Sequence, residues 1–381
     1  MNKIIYVLYV AAAFLFAACE SSVSSESEDG EISICMTLPP ELSVNTRSGT
    51  IGGVTIDNVW VVQFLPDGSK LHAVHYDEST ISNLGSSGAL IQVATGGFSN
   101  VESTFRVIAN FGASQAELVA FSKKEGAKSD DLKRIVVAYT DYQNSQNYLI
   151  SDELPFAGVG SDGKAVIMAP LNYTYSWVDV KWTNKVVSPS RFTLQSIKAY
   201  NLPATLALET RAGSTSGVYP ETSTGSYMVA SSSADAGLGT GGTYTFYMPE
   251  NLRGVGCGKS FQEKNLPEYG PKADGTAPGI GSDGKPTETG TVDNCTYIDL
   301  EGLYWYSYDA GSPTATSPIS ARYRLYLGGN LMNDYNVRRG YHYTITAQIS
   351  GANSADVRVT ITNGNVVVFD KVETIDKVVD F

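Results

Sequence analysis

The chain has 381 residues and a formal net charge of −12, with 42% hydrophobic and 17% charged residues, 37 Gly, 23 Tyr and only three His. Low charge content with abundant Gly and Tyr points to a β-rich extracytoplasmic protein, and the length to two or three domains. An acidic total without a Lys/Arg cluster leaves no footprint for nucleic acid, and His72, His75 and His342 offer little material for imidazole catalysis.

At the N-terminus Lys3 precedes an apolar run, 4–16, that is too short to span a bilayer, and Phe16-Ala17-Ala18-Cys19 ends it with small residues before a cysteine. The pattern resembles a bacterial lipoprotein signal; the other reading is an ordinary signal peptide with an incidental cysteine. The resemblance implies removal of residues 1–18 and acylation of Cys19, which would hold the precursor on the outer membrane. The Ser- and Glu-rich stretch that follows is too polar to pack, reads as a tether, and resembles the surface-export leader of Bacteroidetes lipoproteins.

Beyond the tether the period is two, which predicts strands. Ile32, Ile34, Met36 and Leu38 share one face of a first strand that Pro39-Pro40 stops. Residues 54–65 and 71–76 flank the turn Pro66-Asp67-Gly68-Ser69, and further strands are expected at 90–94 and 104–110. Residues 115–124 and 129–138 read as short helices, the second with Ser129 as N-cap and Asp130 and Asp131 in its first turn. The alternation restarts near residue 170 and continues at 175–183, 192–202, 244–248, 296–308, 321–327, 341–349, 357–361 and 366–369. The expected fold is mainly β: two tandem Greek-key β-sandwich domains, 48–170 and 171–381, with the helices in the first.

Residues 254–292 resist this pattern, holding nine Gly and four Pro, and are expected to form a long surface loop. Cys257 and Cys295 bracket it. An oxidising compartment permits a disulfide across the base, which is the expectation, with two buried free cysteines as the alternative.

Four blocks then carry a resemblance: Tyr247-Met248-Pro249-Glu250-Asn251-Leu252-Arg253-Gly254, Tyr297-Ile298-Asp299-Leu300-Glu301-Gly302, Tyr323-Arg324-Leu325-Tyr326-Leu327-Gly328-Gly329-Asn330 and Asp334-Tyr335-Asn336-Val337-Arg338-Arg339-Gly340-Tyr341-His342-Tyr343. In this order they resemble the C-terminal half of fimbrillin-like proteins of the Bacteroidetes, the lipoprotein-precursor pilins of type V pili. Leu154-Pro155-Phe156-Ala157-Gly158 resembles the motif that ends the family's first domain, where Met is commoner than Phe156. Read physically, the blocks supply strand ends and positive-φ turn positions, so they specify fold and bring no catalytic residue.

The resemblance implies an assembly route. A trypsin-like, Arg-specific protease cuts after the first strand, the opened groove accepts the C-terminal strand of another fimbrial subunit, and a head-to-tail polymer grows by β-strand addition. Arg47, in a small polar stretch followed by Ser48, is the expected cleavage point, the alternative being an unprocessed linker arginine. Cleavage would move the protein from the outer membrane to a surface fimbrium. Val372, Ile375, Val378, Val379 and Phe381 are the expected donor residues. A host or bacterial surface ligand is a further expected partner.

Other constellations are weaker. His72 and His75 are three apart on a strand, point to opposite faces and read as surface residues unable to share a metal. Tyr304, Tyr306 and Tyr308 form either a sugar-stacking platform or part of a sandwich core, with core favoured. No phosphate loop, nucleophile elbow or complete calcium loop is present in the sequence, so neither cofactor nor metal is expected, and the chain reads as non-enzymatic. The competing functional reading is a lipid-anchored glycan-binding protein of the outer membrane.

Overall fold

Strands dominate a computed structural model that describes residues 31–38, 55–83, 88–94, 98–144, 146–161, 163–210, 218–220, 227–233, 241–308, 317–351, 354–363 and 379–380. The chain divides into two compact units, one drawn from 1–132 and 147–172, the other from 133–146 and 173–381.

The first unit contains β1 (Glu31–Thr37), β2 (Val59–Phe64), β3 (Lys70–Tyr76), β4 (Ile81–Asn83), β5 (Gly88–Ala94), β6 (Ser103–Ala109), α1 (Ala116–Lys123) and α2 (Ser129–Lys133). After β7 (Val136–Ala138), which belongs to the second unit, it resumes with β8 (Leu149–Ser151), β9 (Leu154–Phe156) and β10 (Lys164–Tyr173). Nine strands join in one sheet, eight in the order β3-β2-β6-β8-β10-β1-β5-β4 and the ninth, β9, off this path and paired to β6. The β2–β3 turn closes as the sequence requires: Gly68 takes a φ of +79°, and Asp67 accepts a hydrogen bond from the Ser69 backbone N–H at 2.8 Å. All six residues of β2 are buried, including Gln63. Its amide is satisfied by donating to the Ser99 carbonyl at 2.7 Å and to Ser103 Oγ at 2.9 Å while accepting from the Ser99 N–H at 3.0 Å.

α1 packs on this hairpin through Phe121, whose ring lies 6.3 Å from Phe64. Lys70 of β3 holds its C-terminal end, donating to the carbonyls of Phe121, Ser122 and Lys124 at 2.7–2.8 Å, where a cation suits the helix dipole. The second helix stops at Lys133 rather than reaching residue 138. The β-branched pair Val136-Val137 favours a strand, and β7 finds a partner in β13 (Thr205–Ala207). His72 and His75 do occupy opposite faces, but both are half-buried rather than surface residues: His72 meets Ser99 Oγ at 3.0 Å and His75 packs edge-on to Trp60. Burial lowers the pKa of both.

The second unit adds β11 (Tyr175–Asn184), β12 (Arg191–Pro203), β13, β14 (Tyr227–Ser233), β15 (Gly241–Pro249), α3 (Phe261–Lys264), β16 (Tyr297–Trp305), β17 (Ile319–Tyr326), β18 (Tyr341–Gly351), β19 (Ser354–Asn363) and β20 (Val379–Asp380). Two larger sheets run β15-β11-β18-β19-β20 and β14-β12-β16-β17, and only the β11–β18 pairing is parallel among those described. Alternate residues fill the interior. Val178, Val180 and Trp182 of β11, Tyr343, Ile345, Ala347 and Ile349 of β18, and Ile298, Leu300, Tyr323 and Leu325 of β16–β17 are all buried.

Candidate functional site

β1 has two neighbours. It pairs in parallel with β10, from Glu31 opposite Lys164 to Thr37 opposite Pro170, and antiparallel with β5, from Glu31 opposite Ala94 to Thr37 opposite Gly88. Ile32, Ile34 and Met36 are wholly buried on one face. The other face is buried too: Ser33 is covered, and Cys35 packs with Leu90 and Met168. Burying the three large side chains is worth roughly 1.5–3 kcal/mol each as an upper estimate, before two ladders of backbone hydrogen bonds are counted. That sum is comparable to the entire stability margin of a typical domain, about 5–15 kcal/mol. A first unit without β1 therefore needs another extended, apolar segment between β5 and β10.

The expected lipidation residue Cys19, the cleavage residues Arg47 and Ser48, and the tail residues Val372, Ile375, Val378 and Phe381 lie outside the described residues. Val379 lies in β20, opposite Ala355, on the outer edge of its own chain's sheet.

The sequence blocks converge within the second unit. Asn251 and Val337 form a two-way backbone bridge at 2.8 Å, and Gly254 N–H donates to Asn336 Oδ1 while its carbonyl accepts from Tyr335 N–H. Buried Asn251 also donates to Thr296 Oγ1 at 2.8 Å, which ties the third element in. Glu250 is buried against Thr210 and Arg339, and Arg324 grips the buried Asp299 through two bonds of 2.8 Å. At Gly254, with a φ of +97°, an added Cβ would come within 2.1 Å of the Gly275 carbonyl oxygen. These contacts tie the blocks to one another and so serve the architecture of the unit.

The stretch 254–292 departs from the expected bare loop. It carries α3 with its Ser260 cap and a 3-10 turn at Pro267–Tyr269, and it buries Phe261 and Lys264. Lys264 Nζ donates to the carbonyls of Asn330 at 2.5 Å and Asp334 at 2.8 Å, and sits 5.1 Å above the Tyr335 ring. Tyr335 returns a hydrogen bond to the Lys264 carbonyl at 2.7 Å. Burial pushes the Lys264 pKa down to about 7.

The expected disulfide is absent: Cys257 and Cys295 are free thiols. Cys257 Sγ points to the Tyr269 carbonyl at 3.8 Å, whereas Cys295 turns into an apolar cluster with Val292, Tyr326 and Tyr335. The base of the segment is closed by Lys264 and close glycine contacts instead. Burial raises both thiol pKa values, that of Cys295 to about 12, so neither is poised as a thiolate.

Sequence reasoning missed one paired acid and base. His342 Nε2 lies 2.9 Å from Asp179 Oδ2, and Thr245 Oγ1 donates to Asp179 Oδ1 at 2.5 Å. The signal was cross-strand register, with β11 and β15 placing Asp179 opposite Thr245. Thr344 Oγ1 approaches the same His342 nitrogen, at 3.5 Å, so both of these contacts fall on Nε2 rather than one on each ring nitrogen as in a nucleophile–base–acid triad. Of the aromatic run, Tyr304 is core, Tyr306 is exposed, and Trp305 and Tyr308 flank Arg191.

Comparison with known proteins bears on this architecture. A family profile described as a domain of unknown function (DUF4906) matches residues 246–347, the span that holds the four blocks. No curated protein matches the chain. A putative cell adhesion protein from Parabacteroides distasonis superposes with a TM-score of 0.54 at 13% identity, over 89% of this chain and 98% of that one. The tip fimbrial protein Mfa3 from Porphyromonas gingivalis, with a C-terminal truncation, gives 0.50 at 11% identity, over 88% and 99%. At such identities the likeness is one of fold, and this two-unit β fold agrees with the fimbrillin-like resemblance of the sequence blocks.

Proposed function

We propose that the chain is a subunit of a surface fimbria that serves adhesion, made as an outer-membrane lipoprotein acylated at Cys19 and matured by an Arg-specific protease after Arg47. The observation that carries this reading is β1, an interior strand encoded ahead of Arg47 and held on both sides by the body of the first unit. Cleavage between β1 and β2 makes β1 separable, and the groove it leaves suits β-strand addition by the tail of another subunit. The shared fold with a tip fimbrial protein and a putative adhesion protein supports a structural, non-enzymatic role at the cell surface. No residue acts as a catalyst in this reading; the chain's function is to exchange one strand.

The test is the N-terminus of protein taken from cells, with Arg47→Ala alongside. Ser48 as the first residue of fibre material, and a membrane-retained, larger precursor in the variant, are the expected results. A functional protein that keeps lipidated Cys19 and is absent from fibres would replace the fimbrial reading with the lipid-anchored glycan-binding one, whereas unchanged size and normal fibres in Arg47→Ala would overturn only the cleavage at Arg47.

A further inference from the structure

The wholly buried residues of β1 have unequal neighbours. Ile34 stands between Ile91 of β5 and Ile167 of β10, so a branched side chain flanks it on each side. Met36 stands between Ala89 and Ala169, both buried to 1% exposure or less. Neighbouring strands lie only about 4.7–4.9 Å apart, so the side chains on either hand set the width available to the one between them. Two alanines leave room, and the long, unbranched Met36 takes it, as one of the largest fully buried side chains among the described residues.

Loss of β1 therefore leaves a slot of uneven width, narrow at position 34 and wide at position 36. In β-strand addition the backbone ladder supplies affinity, and pockets for alternate side chains supply selectivity. A donor with a small residue at the wide position leaves a buried void, and one with a bulkier residue at the narrow position is overpacked. The slot thus asks for a branched side chain followed, two residues later on the same face, by a large one. The C-terminal tail of a second copy offers that pair twice in its sequence, as Val367 with Phe369 and as Val379 with Phe381.

We propose that Ala89 and Ala169 form the anchor pocket of the acceptor slot and select the incoming strand by a large side chain, a phenylalanine of a second copy's tail. The inference rests on the strand-exchange reading and adds to it the residues that discriminate between strands. Backbone pairing alone accepts any extended segment; the alanine-walled pocket fixes which one, and in which register.

The test moves bulk from the strand to the wall in the full chain made in cells. Met36→Ala alone alters only the discarded strand, leaves the pocket open after processing, and should form fibres at the native level. Met36→Ala combined with Ala169→Met fills the pocket from the side. Its precursor should melt near the native one and be processed to Ser48, while its fibres fall at least about tenfold, the weight of one buried side chain. Met36→Ala combined with Ala89→Met repeats the experiment from the other wall should the first pair fail to fold. On the otherwise native chain, one of Phe369→Ala and Phe381→Ala should give the same loss. Native fibre levels in a folded double variant, or precursors of both double variants that melt far below the native one, overturn the pocket. Native fibre levels in both phenylalanine variants overturn the tail phenylalanine as its occupant. A native chain that keeps lipidated Cys19 and forms no fibres overturns the strand-exchange reading itself, and this inference with it.

Discussion

At Asp179 opposing effects act on one carboxyl group. Burial alone raises its pKa, but hydrogen bonds from His342 and Thr245 outweigh it and leave the value below the ordinary 3.8. A lowered folded value means stability that is present above 3.8 and lost as pH falls through the folded pKa. Thermal unfolding of Asp179→Asn between pH 2 and 5 should lack that acid-dependent loss, and His342→Ala at neutral pH should cost about 1–3 kcal/mol by stranding the carboxylate. Lys264 has the opposite sign. Its folded pKa of about 7 lies below the ordinary 10.5, so the unfolded chain holds more protons between those values and stability rises with pH across that window. The difference between denaturant melts of the native chain and Lys264→Met should grow by a few kcal/mol from pH 7 to pH 10 and stay flat below pH 7. The thiols give a simpler check: in protein beginning at Ser48, Cys257 and Cys295 should both react with maleimide after denaturation without reductant.

Among the elements, glycines of the convergent blocks are the sharpest test of packing. Gly328 has a φ of +149°, and an added Cβ would fall 1.8 Å from the Asp334 carbonyl oxygen. Gly328→Ala should cost at least about 3 kcal/mol by thermal melt. Gly284 has a φ of +77° with nothing within 4 Å of the added atom, so Gly284→Ala should cost about 1 kcal/mol through backbone strain alone. β1 is tested by peptide rescue. Protein starting at Ser48 should melt well below the full chain and recover on adding a peptide of residues 31–38, while the same peptide with Ile34→Asp should not restore it. Most long strands were legible from alternation because one face of each is buried. The short ones were not: β4, β8, β9 and β13 span three residues each, too few for any period, and β8, β9 and β13 are fixed by partners distant in sequence. Val136-Val137 lost its helix to β13 for the same reason.

For the whole molecule, truncation after Phe369 should leave a soluble, processed protein that no longer polymerises, read by sedimentation; fibres from the truncated chain would place the donor elsewhere. The candidate site was half legible. Ile32, Ile34 and Met36 announced an apolar face, but nothing local revealed that Ser33 and Cys35 are covered as well, since that depends on Leu90 and Met168 arriving from two other strands. The aromatic end was read as core because Tyr304 is core; the exposure of Tyr306 follows from the chain turning after Trp305. β1's two ladders also have a mechanical meaning. Hydrogen bonds between strands run across the strand direction, so a pull along β1 loads all seven register pairs on each side at once instead of opening them one by one. A strand seated this way resists tension in shear. Any segment occupying the same slot with the same polarity inherits that resistance, and the slot is thereby suited to a joint that must bear load along a filament.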